Sequence, residues 1–478
     1  MTLQEEIKNL ILSWNPGVVT EFTDQTLLFE AGLLDSSALF NLILWIEEQT
    51  GEPVNAAQLD LVREWATIEA IVVYMQQYDM TPNIKPVAAA PLVSHAEPTE
   101  ESPRASVNEY EIIRYSPEYD DQIAELQTGL WSQDKALNRR YLDWLYKDNP
   151  YAKGTPHIYL AIQGDQVVGM RGFWASKWEA SGQTLCVLVA DDLIIDPEHR
   201  NRGLHQKLMQ TAFLTLKNTD YQYALNLSAS PLNIMASLTM GWKSAGLLEL
   251  AGRPSVDSIF PGIRAALQQT PGLWRFSNSS LFFSKAERQP FLGIDQHANN
   301  PLIHGNRKIS ATKNPDMDAM CGLIESLPCN NRIRHVKNEQ YLNWRYNNPR
   351  ADYRYIYSRT KSLDGYLAIS YLTGNTADGG RTGIVDFEAR DDATLAALIS
   401  YAAKYFNKLV LWTGTLDKNQ LSCFKENGFL PIDPAKRERG CPALLIRALQ
   451  SDPDHGFTNL SLDDLNSWDL RMIYSMNG

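Results

Sequence analysis

LCVLVADDLIIDPEHRNRGLHQKLM, running from Leu185 to Met209, divides on inspection into a strand, a turn and a helix. An apolar run from Leu185 to Ala190 passes two aspartates and resumes at Leu193–Ile195 before Asp196-Pro197, which is the pattern of a buried strand ended by a turn. Leu204, Leu208, Met209 and Phe213 then recur at helical spacing. Between the two, Arg200-Asn-Arg202-Gly203-Leu204-His205 sets two guanidinium groups and a glycine at a helix start. A helix start collects anions, because its first N–H groups have no partner within the helix and the dipole is positive there. A glycine lets the backbone approach such an anion closely. Asp191 and Asp192 are consecutive in the strand, and strict alternation predicts that they face opposite sides of the sheet.

The chain has 478 residues, 44% hydrophobic and 21% charged, enough for about three domains with ample cores. Its longest apolar runs fall short of the roughly 20 residues that span a bilayer, and the N-terminus has no basic stretch leading into an apolar one, so no secretory signal is read. Five cysteines at irregular spacing indicate neither a disulfide framework nor a zinc site and fit a reducing cytoplasm. The net charge of −12 is concentrated: residues 1–80 hold thirteen acidic side chains against Lys8 and Arg63, leaving the remainder nearly neutral. One acidic module argues against nucleic acid and for docking on basic protein surfaces.

With its strand-Asp-Pro approach, its Arg200-x-x-Gly203 turn and the helix that follows, Leu185–Met209 resembles the acyl-CoA site of the GNAT (Gcn5-related N-acetyltransferase) superfamily. The resemblance implies that the backbone near Leu193 and Ile195 pairs with the pantetheine arm of acyl-CoA. It further implies that Arg200, Arg202, Gly203, Leu204 and His205 hold the diphosphate, and that Asn233 meets the pantetheine. His205 stands where the family has Gly or Ala. The family's proton donor to the departing thiolate, a tyrosine, is matched by Trp242, which has no suitable acidic proton; Tyr223 or water is the alternative source. In many members a carboxylate on the central strand takes a proton from the incoming ammonium through water, which makes Asp192 the first candidate base and Asp191 the second.

The N-terminal 80 residues carry helical patterns at 3–14, at 38–50 and from about 67 to 77. Phe29-Glu-Ala-Gly-Leu-Leu-Asp35-Ser36 opens the second of these, with Asp35 and Ser36 as capping residues. This acidic helical pattern resembles the four-helix bundle of an acyl carrier protein. The resemblance implies 4′-phosphopantetheine attached covalently to Ser36 by a phosphopantetheinyl transferase, with other biosynthetic enzymes docking on the acidic surface.

Reading the chain in order gives a multi-domain protein. An all-α carrier-like bundle (1–80) and a linker rich in Pro and Ala (81–108) precede two mixed α/β domains of GNAT type. The first spans 109–255, and after a connector (256–307) the second, degenerate, spans 308–447, followed by a tail (448–478). The second copy is read from Tyr341-Leu-Asn-Trp344-Arg-Tyr346, which echoes Tyr141-Leu-Asp-Trp144-Leu-Tyr146. Its turn, Arg390-Asp-Asp-Ala-Thr394, has carboxylates where the first has Arg-x-x-Gly, and like charge disfavours diphosphate there.

The function expected is acyl transfer from a pantetheine thioester, either acyl-CoA or the carrier's own arm, to a small amine acceptor. Two alternatives use the same parts: S-acyl loading of the chain's own carrier from acyl-CoA, or a non-catalytic platform that presents the carrier. No membrane span and no metal are expected.

Overall fold

The computed structural model describes the chain apart from residues 1, 15–21, 29–30, 32, 35, 52–53, 55–64, 79–109, 201, 228–230, 254–300, 305, 329–330, 373–380, 407–408, 433–440, 451–456, 458–459 and 476–478. Three helices are described before residue 80: α1 (Leu3–Trp14), α2 (Ser36–Thr50) and α3 (Ile68–Met75). Thr67 caps α3 by accepting from the Ala70 amide at 3.1 Å. Ile7, Ile11, Leu39, Leu42, Ile46, Ile71 and Met75, spaced along one face of each helix, are fully buried. The expected bundle of four is described as far as these three.

The first copy runs β1 (Glu111–Arg114), α4 (Asp120–Leu126), α5 (Lys135–Leu142), β2 (His157–Gln163), β3 (Gln166–Ala180), β4 (Gln183–Ile195), α6 (Leu204–Leu216), β5 (Tyr223–Asn226), α7 (Pro231–Thr239), β6 (Lys243–Leu247) and β7 (Leu250–Gly252). A π turn, Asp143–Lys147, prolongs α5. Helix α7 ends at Thr239, and after a turn at Gly241 the chain enters β6.

The second copy repeats this order with two added strands, β8 and β10: β8 (Leu302–His304), β9 (Arg307–Thr312), α8 (Met317–Ser326), β10 (Ile333–His335), α9 (Glu339–Tyr346), β11 (Ala351–Arg359), β12 (Leu363–Leu372), β13 (Arg381–Ala389), α10 (Asp392–Tyr405), β14 (Leu409–Trp412), α11 (Lys418–Glu426), β15 (Leu430–Pro431) and β16 (Ala443–Ala448). In the tail, β17 (Trp468–Asp469) pairs with β10, and Trp468 is fully buried against Trp178 at 5.1 Å between ring centres.

Both sheets are mixed, and the two copies exchange strands. The first sheet is ordered β1-β2-β3-β4-β5-β16-β6, with β10 pairing with β3 and β17 with β10; the second is β15-β7-β14-β13-β12-β11-β9-β8. Thus β16 from the second half completes the first sheet, pairing Leu445 with Asn226, while β7 from the first half completes the second, pairing Leu411 with Ala251. Between the sheets lies a shared core that contains Trp144, Trp174, Val187 and Val189 together with Tyr341, Trp344, Tyr366 and Val385. On the outer face of the first sheet, α6 and α7 form a second core that runs on into α1–α3, and α2 packs against α7.

Candidate active site

Strands β4 and β5 run parallel and pair only at Leu188 with Ala224 and Val189 with Leu225. Past Val189 the β4 edge that faces β5 has no strand partner among the described residues, although its other edge remains paired to β3 as far as Ile195. Unpaired backbone groups in such a split need another partner, and an extended amide-bearing chain such as pantetheine supplies one. At the end of the split, Asp196 turns the chain by accepting from the Glu198 amide at 2.9 Å, and Gly203 caps α6 at φ +71°. That left-handed conformation is what a glycine at this position provides. Arg200, Arg202 and Gly203 are exposed, whereas Leu204 is buried beneath them.

Contacts already organise this turn. Arg200 Nε donates to the Ile195 carbonyl at 3.2 Å. Arg202 donates to the Tyr110 hydroxyl at 2.8 Å, and that hydroxyl lies 3.0 Å from His199 Nδ1. His205 differs from its neighbours: burial, followed by the positive charge of Arg171, lowers it to about 4. It is therefore neutral at pH 7, and any part it takes in holding diphosphate is as a hydrogen-bonding group.

The strand carboxylates depart from simple alternation. Met170 pairs with Ile194 but Gly172 with Asp191, so Asp192 and Leu193 together oppose Arg171. This is a β-bulge, and Asp192 takes φ +48° within it. The bulge turns both carboxylates toward the core between the sheets, which corrects the expectation of opposite faces. Asp191 accepts from Trp174 Nε1 at 3.3 Å and from the Asp192 amide at 2.8 Å. Asp192, fully buried, accepts from Trp131 Nε1 at 2.7 Å, Tyr146 Oη at 3.0 Å and Gln127 Nε2 at 3.1 Å. Burial pushes both carboxyls above the ordinary carboxylate range, and the charge of Asp192 adds to the rise at Asp191. Burial and Asp192 together hold the Tyr146 hydroxyl protonated, so it donates. It reaches Asp192 directly over Gly172, where any side chain would collide with it.

The second copy preserves the framework and fills the site. Tyr346, matching Tyr146, donates to Asp386 at 3.2 Å, as does Tyr366 at 2.7 Å. However, Lys337 Nζ lies 2.6 Å from Asp386 and 2.8 Å from Glu388, so this carboxylate is paired with a buried ammonium. At the start of α10, Asp391 accepts from the Thr394 amide at 2.6 Å and pairs with Arg307 at 3.2 Å. The anion position at that helix start is occupied by the protein's own carboxylate. A pseudo-twofold relation joins the copies, in which the Trp144 indole donates to the Trp344 carbonyl at 2.7 Å and the Trp344 indole to the Trp144 carbonyl at 2.6 Å. Their rings stack with centres 5.0 Å apart and planes 15° from parallel.

Some expected site residues lie apart from this centre. Asn233 is exposed on α7. Trp242 is buried against Phe213, 6.0 Å between ring centres, and Tyr223 is half-buried on β5. Ser36 opens α2, but its side chain lies outside the described residues, as does Asp35. Sequence reasoning missed Gln127, Trp131 and Tyr146. For Tyr146 the sequence carries a signal, the Tyr-Leu-x-Trp-x-Tyr repeated at 141–146 and 341–346.

Residues 121–235 match the acetyltransferase (GNAT) family, a span that contains the bulge, the turn and α6. No curated protein matches the sequence. Among solved structures the chain is similar to a GCN5-related N-acetyltransferase from Anabaena variabilis, with 12% identity and a TM-score of 0.45 over 71% of this chain and 73% of that one. It is similar to Saccharomyces cerevisiae N-myristoyltransferase with bound myristoyl-CoA and inhibitors, with 11% identity and a TM-score of 0.45 over 79% and 88%. It is also similar to a tandem GNAT protein from the clavulanic acid biosynthesis pathway, with 12% identity and a TM-score of 0.44 over 72% and 100%. The likeness of this chain to the acetyltransferase (GNAT) family thus covers residues 121–235.

Proposed function

We propose that this chain transfers an acyl group from a pantetheine thioester to a small amine, using the first copy's split and its bulged carboxylates. The observation that carries this reading is the conjunction of three features on one strand. The edge of β4 opens toward β5, an exposed Arg200-x-x-Gly203 turn leads into α6 at the end of that opening, and two buried carboxylates sit on the bulge between. In the transfer an ammonium gives up a proton, its nitrogen forms the C–N bond, the C–S bond breaks, and the thiolate leaves to be protonated. The net products are amide, thiol and one proton. Asp191 is the better placed base, because its oxygens accept two hydrogen bonds against three at Asp192, and a carboxyl raised above its ordinary range is a stronger base at neutral pH. An N–H in the open β4 edge would polarise the thioester carbonyl. The residues present fit acyl-CoA: backbone at Leu193 and Ile195 for the arm, and Arg200, Arg202 and the α6 start for the diphosphate.

A second reading, S-acyl loading of an N-terminal carrier through a phosphopantetheine on Ser36, is favoured by one observation. Helix α2, which Ser36 opens, rests against α7 on the same face of the first sheet as α6. A tethered arm would then start close to the split, at high effective concentration. One experiment separates the two readings. The protein is treated with a phosphopantetheinyl transferase, incubated with a panel of acyl-CoAs with and without amines, and weighed intact. Acyl mass on the protein that is lost in Ser36→Ala and Arg200→Ala supports loading in cis. Amide product without protein-bound acyl supports direct transfer, and neither product overturns both.

A further inference from the structure

Arg350 belongs to the second copy but lies in the first copy's carboxylate site. Its guanidinium sits 3.9 Å from the centre of the Trp131 ring and 4.7 Å from that of Tyr141. Trp131 is the residue whose indole N–H holds Asp192 at 2.7 Å, so one indole separates the cation from the carboxylate. The positive charge is felt there, since Arg350 acts against the rise at Asp192. In the repeat, Arg350 follows Pro349 as Tyr151 follows Pro150. Tyr151 stacks on Tyr341, the counterpart of Tyr141, with ring centres 5.9 Å apart and planes 19° from parallel. Each copy therefore extends the residue after its proline across the pseudo-twofold onto the other's aromatic shelf, and only the one that reaches the Asp191–Asp192 site is a cation.

The arginine is also unusual for its lack of an acceptor. It is half-buried, and among the described residues its side chain has neither a carboxylate partner nor a hydrogen bond. Other arginines of this region are engaged: Arg345 with the Ser475 carbonyl, Arg354 with Asp352, and Arg471 with Asp469. Stacking on an indole leaves the in-plane N–H fork of a guanidinium available, and that fork matches a planar carboxylate or a phosphate. An open groove of about 540 Å³ over the Trp144–Trp344 pair is lined by Asp143 and Asp148 as well as by Arg140 and Pro349, the chain neighbours of Tyr141 and Arg350.

We propose that Arg350 binds an oxyanion of the acyl acceptor, so that the acceptor is a zwitterionic amine whose ammonium faces Asp191 and Asp192 while its carboxylate or phosphate lies on the fork. This rests on the acyl-transfer reading above. It gives the degenerate copy a direct part in substrate selection, since the cation over Trp131 comes from that copy, whereas the first copy's own Arg171, which also acts on Asp191 and Asp192, is buried. A site with a buried carboxyl pair and a guanidinium held over a ring side by side is complementary to a molecule that carries both signs. A neutral or purely cationic amine would leave the guanidinium unpaired in the closed complex, which is costly for a charged donor.

The test uses paired acceptors that differ in one group: the standard amino acids beside their carboxamides, and O-phosphoethanolamine beside ethanolamine, with thiol release from acyl-CoA as the readout. The wild-type chain is expected to favour the anionic member by about 10- to 100-fold in kcat/KM, mainly through KM, as for a charge-assisted bidentate contact. Arg350→Met, which keeps an apolar contact with Trp131, is expected to reduce that preference to within about threefold. Arg350→Lys, with charge but no fork, should retain part of it. The amino acid and phosphate arms tell which oxyanion is read. A wild-type enzyme with no preference within pairs overturns the proposal without recourse to any variant's folding, and so does a preference that survives in Arg350→Met. Failure to acylate any amine overturns the acyl-transfer reading and this one with it.

Discussion

Asp191 and Asp192 show how much of a site's chemistry comes from where a side chain is held. Both are raised above the ordinary carboxylate range, by burial first and at Asp191 then by its neighbour's charge. The sign of the consequence for stability follows directly. A carboxyl whose folded value lies above its unfolded value keeps a proton that the unfolded chain has released, so stability falls as pH rises from about 4 through the folded value. Asp191→Asn removes that titration. We expect the variant's thermal midpoint to fall less than the wild type's between pH 4 and pH 8, measured by calorimetry. An equal slope in both proteins would show that Asp191 is not the group responsible. In activity, the wild-type kcat/KM is expected to rise with pH as the base ionises, and the variant to lose about 10²- to 10⁴-fold, the usual contribution of a general base.

The bulge in β4 depends on a neighbouring strand as much as on its own residues. Gly172 on β3 leaves room for the Tyr146 hydroxyl to meet Asp192, and Tyr146 is placed by the π turn that prolongs α5. Gly172→Ala is therefore expected to displace Tyr146 from Asp192 and leave a buried carboxylate short of one donor. The cost should be about 1–3 kcal/mol, read as a lower midpoint in urea unfolding with unchanged slope. Activity should fall in the same variant, because the disturbed bulge carries both Asp191 and Asp192. A variant as stable and active as the wild type would show that the Tyr146–Asp192 contact is dispensable.

The exchange of β7 and β16 makes the two copies a single folding unit. Each sheet is completed by a strand from the other half, and the Trp144–Trp344 pair locks the shared core with two reciprocal hydrogen bonds and a stacked contact. A protease site engineered between residues 254 and 300 should therefore yield halves that stay together after cleavage. We expect one peak at the uncut elution volume in gel filtration, with two bands in a denaturing gel. Separation into two folded species would mean that the exchanged strands do not hold the molecule together. The Arg350 proposal belongs here too, since it needs both copies in one body.

Several features were legible in the linear chain: the strand, turn and helix at Leu185–Met209, the second copy announced by Tyr341–Tyr346, the acidic N-terminal module and the blocked helix start at Asp391. These are local patterns, in which apolar period, capping residues and charge act over a few residues along the chain. What was not legible depends on contacts between distant segments. Alternation placed Asp191 and Asp192 on opposite faces because it assumes an unbroken ladder, whereas the register slip against Gly172 exists only once β3 and β4 have paired. The donors to Asp192 come from 46 to 65 residues away, and the Trp144–Trp344 bonds span 200. No local pattern states which strand completes which sheet, so β16 beside β5 and Arg350 beside Trp131 follow only from folding the two halves together.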